Sequence, residues 1–227
     1  MVAIKASTEE YRSKQTRYNL IDCISKRCNL VGEDSLRFVA VGDWGGHDVW
    51  PYVTVQQNSI ANQLAVTAIW LRPNAIISTG DNFYFFGVSS VDDPRFEETF
   101  DTEYTDKSLL HVPWYMVAGN HDHYGNVSAQ IAYTKKDKRH RWKFPDFYYT
   151  AKYEFGGSDI TDTETTKVDF LFIDTVVLCG NTPVDTLFKA SVLGIGSDQP
   201  TPPEDDEDIR LSENHWQWIE DILKESE

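Results

Sequence analysis

The stretch Leu36-Arg-Phe-Val-Ala-Val-Gly-Asp-Trp-Gly-Gly46 joins an apolar run to a polar, glycine-rich signature. The same arrangement occurs twice more, because Gly80-Asp-Asn-Phe-Tyr84 follows the apolar run Ala75–Thr79 and Gly119-Asn-His-Asp-His123 follows Trp114–Ala118. Each apolar run has the length of a buried strand, so each signature is expected at a strand end. Open α/β sheets place their chemistry at that edge.

The spacing of the signatures predicts βαβ units and an α/β fold. Asp81 lies 38 positions after Asp43, and Asn120 lies 39 positions after Asp81, which is about one strand-helix-strand crossover each time. Between the first two signatures, Thr54–Arg72 has the apolar spacing of an amphipathic helix that Pro73 ends. The strands should therefore be parallel, and the polar residues should converge on one sheet edge.

The remaining segments continue the α/β pattern less regularly. We expect a second helix within residues 94–110, a short helix over Val127–Thr134 and a buried strand over Val168–Ile173. Residues 1–35 are polar and show no clear period, so they are expected to form a disordered leader. Residues 36–227 would then form one domain.

Charge distinguishes two further segments. The acidic run Glu204–Asp208 is expected to be an extended loop because like charges repel, and Ser212 is expected to cap a final amphipathic helix. Six of the nine residues in Lys135–Lys143 are basic. This strip is interpreted as a solvated surface, with steering of an anionic substrate as the alternative.

Composition limits the classes of partner. The 227 residues are 41% hydrophobic, which supports a globular core, and the formal net charge is −15. Nucleic acid is therefore not an expected partner, because phosphate contacts need a dense cationic surface. No apolar stretch approaches the roughly 20 residues needed to span a bilayer, and no signal peptide is visible at the N-terminus.

The cysteines leave several arrangements open. The chain has three, an odd number, and their spacing is not that of a zinc site. Cys23 and Cys28 could pair locally, whereas Cys179 could be a buried thiol or could pair outside this chain.

The residue types in the three signatures indicate metal binding. Hard cations prefer oxygen and imidazole ligands, and two metals about 3.5–4 Å apart can hold both oxygens of a phosphoryl transfer. Asp81 and Tyr84 lie three positions apart, so a single turn can direct both toward one place. Turn chemistry or packing could explain any one signature, but three in order at crossover spacing favour a metal site.

The combined signatures closely resemble the purple acid phosphatases, a group within the calcineurin-like metallophosphoesterases, and especially their small tartrate-resistant branch. The resemblance covers roughly Arg37 to Lys224. It implies a metallophosphoesterase-type αββα sandwich, of which this chain would supply the N-terminal portion. The match continues through four segments between and after the signatures: Arg95–Phe100, Val112–Tyr115, Gly125–Tyr133 and Asp174–Asn181.

The resemblance implies a role for each residue of the signatures. Asp43, Asp81 and Tyr84 would hold a ferric ion, and Asp81 would bridge to a second iron or zinc that is also bound by Asn120. His121 would orient or protonate groups of the phosphate ester.

His123 would line the same pocket. The activity implied is that of an acid phosphatase with a dinuclear Fe(III)-Fe/Zn centre, acting on phosphate monoesters of small molecules or phosphoproteins. A nucleotide phosphodiesterase of the same superfamily is disfavoured, because Trp44 and Tyr84 match the purple phosphatases.

The family completes its site with three metal-binding histidines in two later motifs, and this chain contains neither motif. Its own histidines are not expected to replace them, since His215 should cap or pack the final helix. The chain is therefore expected to be C-terminally truncated. The alternative function is that of a catalytically incompetent relative, either non-enzymatic or unstable.

The resemblance also implies a compartment. Asn126-Val-Ser128 is an N-glycosylation acceptor. Members of the family are lysosomal or secreted glycoproteins, so the resemblance implies one of these locations.

Overall fold

Two sheets organise the residues that the computed structural model describes, which are 23–157, 164–180 and 206–225. In chain order the strands are β1 (Cys28–Leu30), β2 (Phe38–Val41), β3 (Ala75–Ser78), β4 (Trp114–Tyr115), β5 (Trp142–Lys143), β6 (Tyr149–Phe155) and β7 (Thr166–Phe172). The α-helices are α1 (Val55–Leu71), α2 (Asn120–His123), α3 (Val127–Lys136), α4 (Thr175–Leu178) and α5 (Asp206–Glu225). None of these described helices has the length and apolar character needed to cross a membrane.

The larger sheet has the order β2-β3-β4-β5, and all of its neighbouring strands are parallel. Helix α1 connects β2 to β3, so the predicted βαβ unit and α/β class are confirmed. Within the described ranges β2 lies at one end of this sheet and pairs with β3 alone. Strand β4 is shorter than predicted, since it spans Trp114–Tyr115 and not Trp114–Ala118.

Both ends of helix α1 agree with the sequence. The Thr54 hydroxyl accepts a hydrogen bond from the backbone N–H of Gln57 at 3.0 Å, which is N-cap geometry. Arg72 has a left-handed conformation, and its N–H donates to the Ala68 carbonyl, so the helix stops directly before Pro73. Its buried face includes Ala61, Leu64 and Ala68.

A helix does form within residues 94–110, around Phe96 and Phe100, as predicted. Only Phe96–Asp101 is helical there, and it is a π-helix. Phe96 and Phe100 are buried, and the Phe96 ring stacks on Tyr133 with 3.9 Å between ring centroids. Further along, the Asp106 carboxylate accepts from the backbone N–H of Ser108 at 2.8 Å. Such side-chain bonds compete with helix formation.

The last helix begins earlier than predicted. Asp206, Glu207 and Asp208 are helical rather than extended, and acidic residues are favoured in a first helical turn by the helix dipole. Residues 204 and 205 lie outside the described ranges. Ser212 is inside α5 and is not its N-cap, since its hydroxyl donates to the Leu178 carbonyl at 2.6 Å.

The smaller sheet corrects the expectation of a disordered leader up to residue 35. Strand β1 pairs in parallel with β6, and Cys28 aligns with Tyr153. Cys23 and Cys28 form a disulfide, and Cys179 is a free and exposed cysteine. The fold therefore includes residues 23–35, while residues 1–22 lie outside the described part.

The two sheets meet through aromatic side chains. The Tyr115 ring of β4 stacks on Phe172 of β7 with 5.3 Å between centroids, and the Tyr115 and Tyr153 hydroxyls lie 2.9 Å apart. Tyr149 of β6 donates a hydrogen bond to the Met116 carbonyl at 2.9 Å. This packing brings the end of β7 beside the loops that follow the larger sheet.

Part of the basic strip stabilises the fold. Arg141 is buried, and it donates to the Tyr104 carbonyl at 2.7 Å and to the Asp101 carboxylate at 2.9 Å. Lys136 pairs with Asp92. The interpretation of the whole strip as a solvated surface is therefore wrong for Arg141, whereas Lys136 is exposed as expected.

Candidate metal centre

Three oxygen-bearing side chains of the first two signatures converge at the end of the larger sheet. The Tyr84 hydroxyl lies 2.6 Å from Asp43 Oδ1 and 2.8 Å from Asp81 Oδ2. Asp43 is exposed, and both Asp81 and Tyr84 are partly exposed. The site is therefore open to solvent on the Asp43 side.

Backbone conformation places these carboxylates. Asp43 and Asp81 both have positive φ angles, 57° and 52°, which is uncommon for residues other than glycine. The Asp43 N–H donates to the Gly80 carbonyl at 3.2 Å, which joins the first two loops. A Cβ atom on Gly119 would overlap Asp81 Oδ1, so the second and third loops approach closely only because that position is glycine.

The third signature meets Asp81 through its backbone. The His121 N–H donates to Asp81 Oδ1 at 3.2 Å, and Asn120 is exposed at the start of α2. His121 Nδ1 lies 2.8 Å from the Phe85 carbonyl oxygen. Because a carbonyl can only accept, Nδ1 must carry the hydrogen, and in the neutral ring Nε2 remains free to accept one.

Asp122 joins the second and third signatures and has no assigned role in the sequence-based prediction. It is fully buried, and its carboxylate accepts from the backbone N–H groups of Asn82 (3.0 Å), Phe83 (3.1 Å) and Gly119 (2.9 Å). The Gln130 amide adds a fourth donor at 2.8 Å. Burial raises the pKa of Asp122 to about 6.

A buried chain of hydrogen bonds connects the first signature to the same cluster. The Trp44 indole donates to the Ser78 hydroxyl at 2.8 Å, and that hydroxyl donates to Asn82 Oδ1 at 2.6 Å. Asn82 in turn donates to Gln130 Oε1 at 3.1 Å. A polar Ser78 in an otherwise apolar strand is the sequence signal that could have revealed this network.

His123 occupies a different environment from the one expected. It has no exposed surface, so it does not line the open side of the site. Its Nε2 lies 2.7 Å from Asp174 Oδ2, and Asp174 is also fully buried. The pair lies behind the signature loops, where β7 ends.

The chemistry of the converging side chains fits a hard cation. Burial, followed by the hydrogen bonds to Asp43 and Asp81, raises the pKa of the Tyr84 phenol well above its ordinary value. Its proton thus lies among three oxygen atoms that a cation could share instead, and hard metals prefer oxygen ligands. The described residues contain no group of three or more His, Cys, Asp or Glu side chains suited to a metal.

Several named phosphatases are similar to this chain in sequence. Human tartrate-resistant acid phosphatase type 5 is 42% identical over 189 residues, which cover 83% of this chain and 52% of that protein. The rat protein of the same name is 48% identical over 147 residues, covering 65% of this chain and 42% of its own. Purple acid phosphatase 4 of Arabidopsis thaliana is 38% identical over 110 residues, which are 48% of this chain and 31% of the relative.

A solved structure shows the same fold. GAP50, the anchor in the inner membrane complex of Plasmodium, superposes with a TM-score of 0.58 at 25% identity and covers 80% of this chain and 48% of its own. The chain thus spans about half the length of the human and mouse relatives that it matches. The sequence profile described as calcineurin-like phosphoesterase matches residues 36–226. The chain therefore belongs to the calcineurin-like phosphoesterase family.

Proposed function

We propose that this chain carries part of the site of an acid phosphatase that hydrolyses phosphate monoesters through a dinuclear centre of ferric iron and a second iron or zinc. The main support is the convergence of Asp43, Asp81 and Tyr84 within hydrogen-bond distance at a sheet edge. Relatives named tartrate-resistant acid phosphatase carry 42–49% identity to this chain. Phosphate monoesters of small molecules or of phosphoproteins are the proposed substrates.

The residues divide into ligands and proton carriers in this proposal. Asp43, Asp81 and Tyr84 bind the ferric ion, and Asp81 and Asn120 bind the second metal. Such a centre supplies Lewis acidity and a more acidic water when it is bound.

His121 presents Nε2 to the phosphate ester, because its Nδ1 hydrogen is already donated to the Phe85 carbonyl. When Nε2 carries a hydrogen, it can donate that hydrogen to the leaving oxygen.

Two features support a lysosomal or secreted glycoprotein. The Cys23–Cys28 disulfide is typical of proteins that fold in oxidising compartments. Asn126 is exposed, and its Oδ1 accepts from the Ala129 N–H at 2.9 Å, which leaves the amide nitrogen for the sugar. A mass increase that is removed by an N-glycosidase and is absent from Asn126→Gln would support glycosylation there.

The alternative is a catalytically incompetent relative. The proposed second metal has only Asp81 and Asn120 as ligands among the described residues, and the chain spans about half the length of the human and mouse relatives. Metal binding that is weak or restricted to one ion would favour this alternative.

One preparation separates the two. The full chain is purified, its iron and zinc contents are measured, its visible absorption is recorded, and hydrolysis of a chromogenic phosphate ester is followed at about pH 5. Two metals per chain with turnover are expected from the enzyme, and Asp43→Asn should lose iron while the matched exposed variant Asp48→Asn keeps it. Metal-free protein without turnover would overturn the proposed activity of this chain.

A further inference from the structure

Asp174 lies outside the three signatures, yet its buried carboxylate has two distinct sets of partners. Oδ1 accepts from the backbone N–H groups of Val176 at 3.0 Å and Val177 at 3.1 Å, so it caps α4. Oδ2 lies 2.7 Å from His123 Nε2, and neither side chain has exposed surface. A buried carboxylate and a buried imidazole in direct contact form a strong, geometrically specific pair.

The pair fixes the hydrogen position on His123. An ionised carboxylate can only accept, so Nε2 of His123 carries the hydrogen. Nδ1 is buried and has no hydrogen-bond partner in the structure. The neutral ring with hydrogen on Nε2 satisfies the contact and leaves only an acceptor unpaired.

The position of His123 gives this pair a consequence for the metal site. His123 is the last residue of α2, and the same four-residue helix begins with Asn120 and His121. The preceding residue, Asp122, is held by backbone N–H groups of the second signature. Asp174 holds the next residue from the end of β7, which belongs to the other sheet. Helix α2 is therefore held between the two sheets.

We infer that Asp174 is a positioning residue for the proposed metal site, acting through His123 to fix the turn that carries Asn120 and His121. The effect on metal binding rests on the proposed function, whereas the contact between Asp174 and His123 is seen in the structure. Groups that orient metal ligands in this way typically contribute 10- to 100-fold in metal affinity or activity.

The substitution Asp174→Asn tests the inference with little change in shape. Asparagine caps helices about as well as aspartate, so α4 is expected to remain. Its amide nitrogen, placed toward His123, would donate instead of accept, and His123 would then carry its hydrogen on Nδ1. Asp146→Asn is the matched control, because Asp146 is exposed and its carboxylate likewise accepts from a backbone N–H, that of Phe147 at 2.8 Å.

Two readouts are needed on the full chain. Nitrogen NMR of labelled histidine should show the His123 hydrogen on Nε2 in the parent and in Asp146→Asn, and on Nδ1 in Asp174→Asn. In the same spectra the His121 signals should move in Asp174→Asn and stay in place in Asp146→Asn. Zinc affinity measured by titration calorimetry should fall about 10-fold or more in Asp174→Asn and stay within about twofold in Asp146→Asn. An unchanged His121 spectrum together with unchanged zinc affinity in Asp174→Asn would overturn the inference.

A double substitution tests whether Asp174 affects zinc affinity through His123 or independently of it. With His123→Gln already present, adding Asp174→Asn should cause little further loss of zinc affinity, because the two side chains act as a unit. Full additivity would overturn the route through His123.

If the parent binds neither iron nor zinc and hydrolyses no phosphate ester, the proposed function fails. The hydrogen position on His123 and the His121 spectrum still decide the positioning role. Where His123→Gln does not fold, Asp174→Asn with its NMR readouts decides alone.

Discussion

At the scale of single residues, both carboxylate oxygens of Asp81 accept a hydrogen bond from the signature residues around it. Oδ2 accepts from Tyr84 and Oδ1 accepts from the His121 N–H. In contrast, His121 touches the oxygen cluster only through its backbone and the Tyr84 ring, whose centroid lies 4.5 Å away. Substitution of these two residues by alanine should therefore affect metal binding and turnover differently.

We expect Asp81→Ala to lose both metals, because it removes the proposed bridging ligand. His121→Ala should keep both metals and lose about 100-fold or more in turnover, the usual contribution of a positioned acid or base. Metal analysis of each purified variant, followed by a phosphate ester assay, checks the division. Equal metal loss in both variants would contradict it.

Gly119 has an ordinary φ of −98°, so any effect of a side chain there comes from space and not from backbone strain. A Cβ would overlap Asp81 Oδ1 and lie 2.6 Å from the Asp81 nitrogen. Gly119→Ala should therefore cost about 1–3 kcal/mol in the free energy of unfolding, as overpacking usually does, and should also weaken metal binding. Urea unfolding and zinc titration measure the two effects.

Gly32→Ala provides the comparison for Gly119→Ala. Gly32 has φ of 74° but no atom within 4 Å of a built Cβ. That variant should show only the cost of strained backbone, about 1–2 kcal/mol, and should leave metal binding unchanged. A similar loss of zinc affinity in both variants would refute the steric explanation.

At the scale of elements, α1 is held at its start by a single side chain. Thr54 accepts from the Gln57 N–H at 3.0 Å, so Thr54→Ala should lower the free energy of unfolding by about 1 kcal/mol. Thr67 is the matched control, because it lies inside the same helix and its hydroxyl donates to the Gln63 carbonyl. Thr67→Ala should be neutral or stabilising, since alanine has the higher helix propensity. A larger loss at Thr67 than at Thr54 in chemical unfolding would contradict the capping role.

The sequence was informative where local signals and tertiary packing agreed. Helix α1 and strands β2 and β3 combine clear apolar patterns with a cap or a glycine at their ends, and they were predicted within a few residues. The helix at Phe96–Asp101 was predicted, but its π type was not, and its aromatic side chains stack on residues more than 30 positions away. Strand β1 was missed for a similar reason, since three residues become a strand only beside β6.

In the candidate site, too, the features set by local sequence were predicted and those set by tertiary contacts were not. The approach of Asp43 and Asp81 followed from motif order and parallel topology, and that of Tyr84 from its spacing of three positions after Asp81. The roles of Asp122 and Asp174 did not, because their partners come from other loops and are visible only in the assembled fold. His123 looked like a pocket residue in the sequence, and burial behind the loops changes that interpretation.

Helix α5 contacts the rest of the molecule through a buried histidine, which confirms the prediction that His215 packs. His215 stacks on Tyr148 with 4.1 Å between centroids, and Trp218 lies 4.9 Å from the same Tyr148 ring. Neither ring nitrogen of His215 has a hydrogen-bond partner. Burial lowers the pKa of His215 below its ordinary value of 6.5, while the charge of Asp174 acts in the opposite direction.

The sign of the pH effect follows from that lowered pKa. His215 binds its proton at higher pH in the unfolded chain than in the folded chain. The contribution of His215 to the free energy of unfolding is therefore fully present above pH 6.5 and is lost as the pH falls below that value. His215→Gln should make unfolding free energy less dependent on pH between about 7 and 5. His140→Gln, at an exposed site, should leave the parent's dependence unchanged. Identical pH profiles for the parent and His215→Gln would contradict this assignment.

At the scale of the whole molecule, β2 forms an open end of the larger sheet within the described residues. Such edges expose unpaired backbone groups and favour pairing between chains. Ala40 is exposed in the middle of β2, and Ala40→Lys should reduce concentration-dependent self-association because charged edge residues oppose pairing. Val66→Lys adds the same charge on the exposed face of α1 and should have a smaller effect. Sedimentation over a range of protein concentrations measures self-association of both variants. Equal reductions would mean that net charge, and not the edge of β2, is responsible.

The carboxylate of Asp122 has a consequence for how this sequence can change over generations. It binds backbone groups of both the second and the third signature, and Gln130 closes the same cluster. A substitution that shifts one loop also disturbs the hydrogen bonds of the other loop to Asp122. The two signatures should therefore change together. Any chimera built from two relatives should transfer residues 80–84, residues 119–123 and Gln130 from the same parent.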